Sequence, residues 1–358
     1  MSTELSRIVC PIRLPDEAAR QAARERHGQL TKPAGSLGLL EDLAVQLAGI
    51  ARTPTPTFHR KAVLVLAADH GVAEEGVSAY PQAVTAQMVL NFLSGGAAIN
   101  VLARQAGARV VVADLGVASD LPPHPDLRSL RVGPGTANIA RGPAMRHDQA
   151  IESIARGSQI VDAEVAAGID LIATGDMGIA NTTSASAIIA AMTGIPPAEV
   201  TGRGTGLDDR ALQRKIGVIE QAIALNAPDP TDPIDVLTKI GGYEIGGLVG
   251  AILQGAGRGL PVVVDGLASG AAALVAAAIQ PDVTHYLIAA HRSVEPGHRI
   301  VLDRLGLRPL LDLDLRLGEG TGAALAMSLI DSAAALLREM ATFADAGVSR
   351  PPALWGVH

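Results

Sequence analysis

Six short runs of β-branched and aliphatic residues, each stopping at a glycine, an acid or a histidine, constrain this chain more than any other feature. They are Ala62 to Ala68, ending at Asp69-His70; Arg109 to Ala113, ending at Asp114; and Ile169 to Thr174, ending at Gly175-Asp176. The others are Pro261 to Val264, ending at Asp265; Tyr286 to Ala290, ending at His291; and Leu310 to Leu315, ending near Gly318-Glu319. Near-continuous apolar runs suit strands buried on both faces, whereas the last, interrupted by Asp312 and Asp314, alternates and reads as an edge strand. Ala83 to Ala106, Gln149 to Ala167 and Ala271 to Ile279 are Ala-rich and long enough for crossover helices. This grammar predicts an α/β chain with a parallel sheet, whose ligands gather outside the carboxyl ends of the strands. Asp, Ser and Gly at any one of these ends can equally cap the next helix; six together describe a pocket.

A length of 358 residues corresponds to about two to two and a half domains. Residues 1–58, with a charged helical pattern at Asp16 to His27 followed by Leu37 to Ala51, and residues 323–358, opening with a long Ala/Leu helix, are expected to form a small helical domain. Residues 59–322 form the large domain carrying the site. Lys+Arg 29 against Asp+Glu 36, with 2% aromatics, leaves neither a basic block nor stacking side chains for nucleic acid. Cys10 is the single cysteine, so no intrachain disulfide forms. No leader pattern is visible in Met1 to Cys10, and the uncharged stretch between Asp176 and Glu199 is interrupted by polar residues and Pro196-Pro197. The expected location is the cytoplasm, without a membrane span.

Three glycine-rich segments can carry chemistry. In Gly175-Asp176-Met177-Gly178-Ile179-Ala180-Asn181-Thr182-Thr183-Ser184 the glycines let backbone amides approach a ligand, and a helix start rich in Asn, Thr and Ser favours an anion. The alternative is a capped tight turn. Gly202-Arg203-Gly204-Thr205-Gly206 precedes a helix with Lys215, which either holds a phosphate or is an ordinary solvated cation. Gly318-Glu319-Gly320-Thr321-Gly322 offers a carboxylate that becomes a general base if the pocket desolvates it, or else caps the following helix. Neither a Walker sequence nor Gly-x-Gly-x-x-Gly after the first run is present, and the histidines show no metal-ligand spacing.

Taken in order, Thr31-Lys32-Pro33-Ala34-Gly35-Ser36-Leu37-Gly38, Ala68-Asp69-His70-Gly71-Val72, Ser78-Ala79-Tyr80-Pro81-Gln82, the 175–183 segment, His291-Arg292-Ser293-Val294-Glu295-Pro296-Gly297-His298 and Gly318-Glu319-Gly320-Thr321-Gly322 form a specific combination. From about residue 30 to about residue 330 the chain resembles the nicotinate-nucleotide:dimethylbenzimidazole phosphoribosyltransferases of cobalamin lower-ligand assembly. The resemblance implies a homodimer, each subunit having a Rossmann-like six-stranded parallel sheet with flanking helices and a small helical domain, and no metal or organic cofactor. The implied reaction moves phosphoribose from nicotinate mononucleotide to 5,6-dimethylbenzimidazole with inversion at C1′.

By resemblance, Glu319 is the base. Asp176, Met177, Gly178, Asn181, Thr182, Ser184, Gly204 and Lys215 surround the mononucleotide, with Met177 also an apolar wall, and Ser293 lies near the nicotinate or phosphate end. Ser78 and Gln87 border the benzimidazole, with Leu317 as a further wall. Two positions depart from the family pattern: Asp176 stands where Glu is common, and Ala180 replaces a glycine, a change tolerated unless the position needs φ > 0. Competing readings are a relative that uses adenine or phenolic acceptors, a non-catalytic nucleotide sensor that should have lost its base, and a NAD-linked oxidoreductase whose fingerprint loop is missing.

Overall fold

The computed structural model describes residues 5–349; residues 1–4 and 350–358 of the expected helical domain lie outside the described residues. In chain order the elements are α1 (Glu17–His27), α2 (Leu39–Ala51), β1 (Lys61–Ala68), α3 (Val84–Leu93), α4 (Ala98–Gln105), β2 (Ala108–Gly116) and β3 (Leu127–Ser129). There follow α5 (His147–Ala166), β4 (Leu171–Met177), α6 (Asn181–Thr193), α7 (Pro197–Val200), α8 (Asp209–Asn226), α9 (Pro233–Ile240) and α10 (Tyr243–Gly257). The last are β5 (Val262–Val264), α11 (Leu267–Ile279), β6 (Leu287–Ala289), α12 (Pro296–Leu305) and α13 (Thr321–Glu339).

The six strands pair in parallel in the order β3-β2-β1-β4-β5-β6. Central β1 is buried along its whole length, which is why its sequence runs Ala-Val-Leu-Val-Leu without alternation. Val65 sits opposite Val112 on one side and Gly175 on the other. The chain reverses its direction of travel across the sheet between β1 and β4, and that switch opens a crevice at their carboxyl ends.

The strand total matches the sequence reading, but one member differs. Residues 310–315 are not an edge strand: Leu311 makes a single parallel bridge to His291, then Asp312, Leu313 and Asp314 are exposed and Asp314 turns to φ +53°. A left-handed residue ends any extended run. The sixth strand is β3, three residues with only Leu127 buried, too short to show a pattern. The expected Ala83–Ala106 helix is two, α3 and α4, divided at Gly95-Gly96.

The chain divides into two compact units, one comprising residues up to Arg13 and His59–Ala326, the other Leu14–Phe58 and the chain from Met327. Residues before Leu14 thus belong with the large unit and not, as the sequence reading had it, with the small one. The Cys10 N–H donates to Gln254 Oε1 at 2.8 Å, and the Tyr286 hydroxyl donates to the Arg13 carbonyl at 2.7 Å. Within the small unit the two chain segments meet: Arg338 donates to the Pro56 carbonyl at 2.8 Å, and the Thr31 N–H donates to the Ala341 carbonyl at 3.1 Å.

In the large unit α10 packs on β1, β2 and β4 and against α5. The α5–α10 contact is backbone on backbone: a Cβ on Gly157 would lie 1.7 Å from the Gly247 carbonyl oxygen. Gly157→Ala must therefore push the two helices apart and should cost about 2 kcal/mol or more. A urea midpoint equal to that of the wild type would show that these helices separate freely and that the contact is not a constraint.

Candidate active site

Loops following β1, β4, β5 and β6 enclose a cavity of about 530 Å³ at the carboxyl edge of the sheet. Its β4 wall is Asp176, Met177, Gly178 and Ile179, leading into Asn181 and Thr182 on the first turn of α6. No side chain caps this helix, nor α11, whose start at Gly266, Leu267 and Ala268 lines the same cavity. Two helix starts without side-chain caps bring positive helix ends to one place, a favourable setting for an anion. The facing wall is apolar and comes from Tyr80, Val84 and Met88, one stripe running from the end of the 78–82 segment along α3, with Leu317 at the rim.

Glu319 lines the cavity and is 5% exposed. It has φ +61° between Gly318 at +81° and Gly320 at +86°, three left-handed residues in succession. The turn lies directly on β4, because Gly175 has no side chain: a Cβ there would sit 2.6 Å from the Glu319 carbonyl oxygen. Burial raises the Glu319 carboxyl above the usual glutamate range, the Ile99 N–H at the start of α4 partly opposing this. Its Oε2 has no hydrogen-bond partner. A desolvated carboxylate with an unpartnered oxygen, in the wall of a cavity, can take a proton from a bound ring.

Asp176 shares that cavity and accepts a hydrogen bond from Asn181 Nδ2 at 2.8 Å on its Oδ2. Desolvation pushes its carboxyl up to about 6 against that hydrogen bond, and the charges of Glu244 and Glu319 add to the rise. Glu295 accepts the Gly204 N–H at 2.8 Å, fixing the 202–206 turn at the cavity mouth, where Arg316 also donates to the Gly204 carbonyl at 2.9 Å. Behind Thr182 lies Lys215, wholly buried, donating to Thr182 Oγ1 at 2.8 Å and to the Gly202 carbonyl at 3.3 Å. Desolvation lowers its ammonium to about 8, with Glu295 pulling the other way.

Beneath the β4–α6 loop, His70 Nε2 lies 2.7 Å from Glu244 Oε1 and Nδ1 3.1 Å from Ser184 Oγ, all three side chains fully buried. Burial opposes the charged ring, yet the Glu244 carboxylate outweighs it and raises His70 above its ordinary value. Among the described residues no group of three or more His, Cys, Asp or Glu is arranged to hold a metal ion.

Of the residues singled out from the sequence, Glu319, Asp176, Met177, Gly178, Asn181, Thr182, Gly204, Ser293 and Leu317 meet at this one cavity. Ser184 and Lys215 do not touch it; they lie behind the wall, bound to His70 and Thr182. Lys215 is therefore not the solvated helix cation that its spacing alone allowed. Ser78 is a step outside, its hydroxyl 3.2 Å from that of Thr205, and Gln87 is exposed and off the lining because α3 turns Val84 and Met88 inward. Tyr80, Met88, His291, Glu295 and Arg316 line the cavity without having been singled out. His291, Glu295 and Tyr80 lay inside recognised segments, whereas Met88 required the helical phase of α3.

A doubly wound sheet whose carboxyl edge offers helix starts for an anion, an apolar slot and buried carboxylates defines an α/β group-transfer enzyme. Comparison with known proteins fixes the family. A profile described as phosphoribosyltransferase matches residues 12–348, and the chain belongs to that family. It is 60% identical over 334 residues to a nicotinate-nucleotide–dimethylbenzimidazole phosphoribosyltransferase of Chloroflexus aggregans, covering 93% of this chain and 95% of that one. It is 58% identical over 345 residues to the protein of that name from Roseiflexus, covering 96% and 98%. A crystal structure of the Thermus thermophilus protein of that name superposes with a TM-score of 0.90 at 49% identity, covering 94% of this chain and all of that one.

Ala180 has φ +74°, so this position does need the left-handed region. An alanine there costs about 1–2 kcal/mol, of which the unfolded-state freedom of glycine returns about 0.4–1 kcal/mol on replacement. Ala180→Gly should accordingly raise the urea midpoint by an amount equivalent to about 0.5–1 kcal/mol. A lowered midpoint would mean that the loop is relaxed around alanine.

Proposed function

We propose that this protein transfers the 5-phosphoribosyl group of nicotinate mononucleotide to 5,6-dimethylbenzimidazole, giving nicotinate and α-ribazole 5′-phosphate for the lower ligand of cobalamin. The observation that carries the reading is Glu319: a desolvated carboxylate, one oxygen unpartnered, on the wall of a cavity with an apolar stripe on one side and helix starts on the other. In the donor the nicotinate nitrogen is a pyridinium, so its departure from C1′ needs no general acid. A benzimidazole nitrogen attacks C1′ from the opposite face, converting β to α, and Glu319 removes the proton that the ring's other nitrogen can no longer hold. The first turn of α6, with Thr182 held by Lys215, suits the phosphate and ribose; Met88, Val84 and Leu317 suit the acceptor ring.

We further read the protein as a cytoplasmic homodimer acting without metal, organic cofactor, nucleic acid or membrane, on the strength of the family resemblance and of Cys10 as its single cysteine. Light scattering at micromolar concentration gives the subunit number directly.

Purified protein should release nicotinate from nicotinate mononucleotide only when dimethylbenzimidazole is present, with the mass of α-ribazole phosphate in the product. Base-dependent release with adenine or a phenol alone would assign a different acceptor, and binding without release would make the protein a sensor. Glu319→Gln should keep the fold and mononucleotide binding and lose about 10²–10⁴-fold in turnover. Near-wild-type turnover by that variant places the base elsewhere. Glu319 works only when ionised and burial raises its pKa, so kcat/KM should be full above that raised value and fall as pH drops through it. An acid limb in the range of a solvated glutamate contradicts the assignment.

A further inference from the structure

A glutamate in the left-handed region between two left-handed glycines is a conformation that persists only where its surroundings dictate it. Here the dictating groups are specific. The Gly320 N–H donates to Asp265 Oδ2 at 3.1 Å and the Ala323 N–H donates to Asp265 Oδ1 at 3.0 Å, so one carboxylate grips both the turn and the first residues of α13. Asp265 is wholly buried and comes from the end of β5, far in sequence from the turn it holds. Its own backbone is fixed: the Asp265 N–H donates to Thr174 Oγ1 at 3.2 Å, and that hydroxyl donates to the Val263 carbonyl at 3.3 Å. His291 Nε2 lies 3.6 Å from Oδ1, its ring filling the space above Gly322, where a Cβ would be 2.0 Å from His291 Cδ2. Gly320 has no slack either, since a Cβ on it would meet Val63 at 2.4 Å. The turn is held between β1, β4 and the Asp265 carboxylate, and Glu319 is the side chain it presents to the cavity.

We propose that Asp265 is a positioning residue for Glu319, its carboxylate clamping the Gly320 and Ala323 N–H groups so that the Glu319 carboxylate stands at the acceptor's departing proton. The inference rests on the reading of Glu319 as the base. Asp265 does not line the cavity, so substrate binding on the Thr182 side is expected to be independent of it.

The test is base-dependent nicotinate release by full-length Asp265→Asn and Asp265→Ser, each in the wild-type and in the Glu319→Gln background. The amide of Asn cannot accept at both ends, so one N–H loses its partner; Ser removes the carboxyl group and leaves room for water, and serves if the Asn variant does not fold. Either single variant should lower kcat about 10- to 100-fold, as displacing a catalytic group by a fraction of an ångström to 1 Å does, with KM for nicotinate mononucleotide changed less than about twofold. In the Glu319→Gln background the same substitution should change the residual rate less than about twofold, because groups acting through one another are not additive. Two results overturn the proposal while leaving the base in place: wild-type kcat in the Asp265 variants, or the full loss repeated on top of Glu319→Gln. Wild-type turnover by Glu319→Gln alone removes the base assignment, and this inference with it.

Discussion

The burial of carboxyl groups is the constraint that the rest of this structure accommodates. Asp69, Asp114, Asp176, Glu244, Asp265, Glu295 and Glu319 are each 9% exposed or less and are gathered around the carboxyl side of one sheet. An ion taken from water into a protein interior costs several kcal/mol unless its lone pairs are met. Among the described residues, Lys215 lies in the field of Glu295 and His70 pairs with Glu244. Backbone amides supply the rest: Gly116 and Val117 to Asp114, Ala118 to Asp69, Gly204 to Glu295, Gly320 and Ala323 to Asp265. Main-chain donors reach a carboxylate only where the chain approaches closely, and the glycine-rich turns after the strands provide that approach.

The surroundings of these acids separate the structural ones from the proposed base. Asp114 and Asp265 accept two backbone N–H groups each, and Glu244 is paired with His70 away from the cavity. Glu295 faces the cavity but is committed to the Gly204 turn and lies within the field of Lys215. An oxygen without a partner is common to Asp69, Glu244, Glu295 and Glu319; what sets Glu319 apart is that it lines the cavity and that no other charge contributes to its shift, which burial dominates. Proton affinity raised by desolvation alone, in a group left partly unsatisfied, is the electrostatic condition for a base.

What the sequence made legible follows the same division. Long buried strands announce themselves because both faces exclude polar residues, so β1, β2 and β4 were plain. The short strand β3 has one buried residue and no signal of its own, while the 310–315 run showed alternation that Asp314's left-handed backbone interrupts. Site residues in glycine-rich turns were found because close backbone approach leaves a compositional mark. Those that depend on helical phase were not: Gln87 and Met88 are neighbours in sequence, and only the rotation of α3 brings Met88 to the cavity. Ser184 and Lys215 were recognised from their segments but act at one remove, since a side chain's depth behind a wall is set by tertiary packing. Asp265, visible as a strand-end acid, carried no sign of the turn it holds fifty residues later.

The aspartate at 176 fits the same electrostatic logic. It occupies the penultimate position of β4 and is tethered to Asn181, and a Cβ on Gly318 would stand 3.3 Å from its Oδ2. The 318–320 turn thus closes over the short side chain, and a longer one at this position has to displace either the turn or Asn181. Held there, Asp176 feels the charge of Glu319, which raises the cost of ionising it. In the proposed transfer, positive charge develops at C1′ between these two walls, so an ionised Asp176 stabilises the transition state by field while Glu319 manages the proton. The closeness of turn and strand that buries Glu319 also brings its charge to bear on Asp176, making the ionisation of Asp176 a property of the edge as a whole.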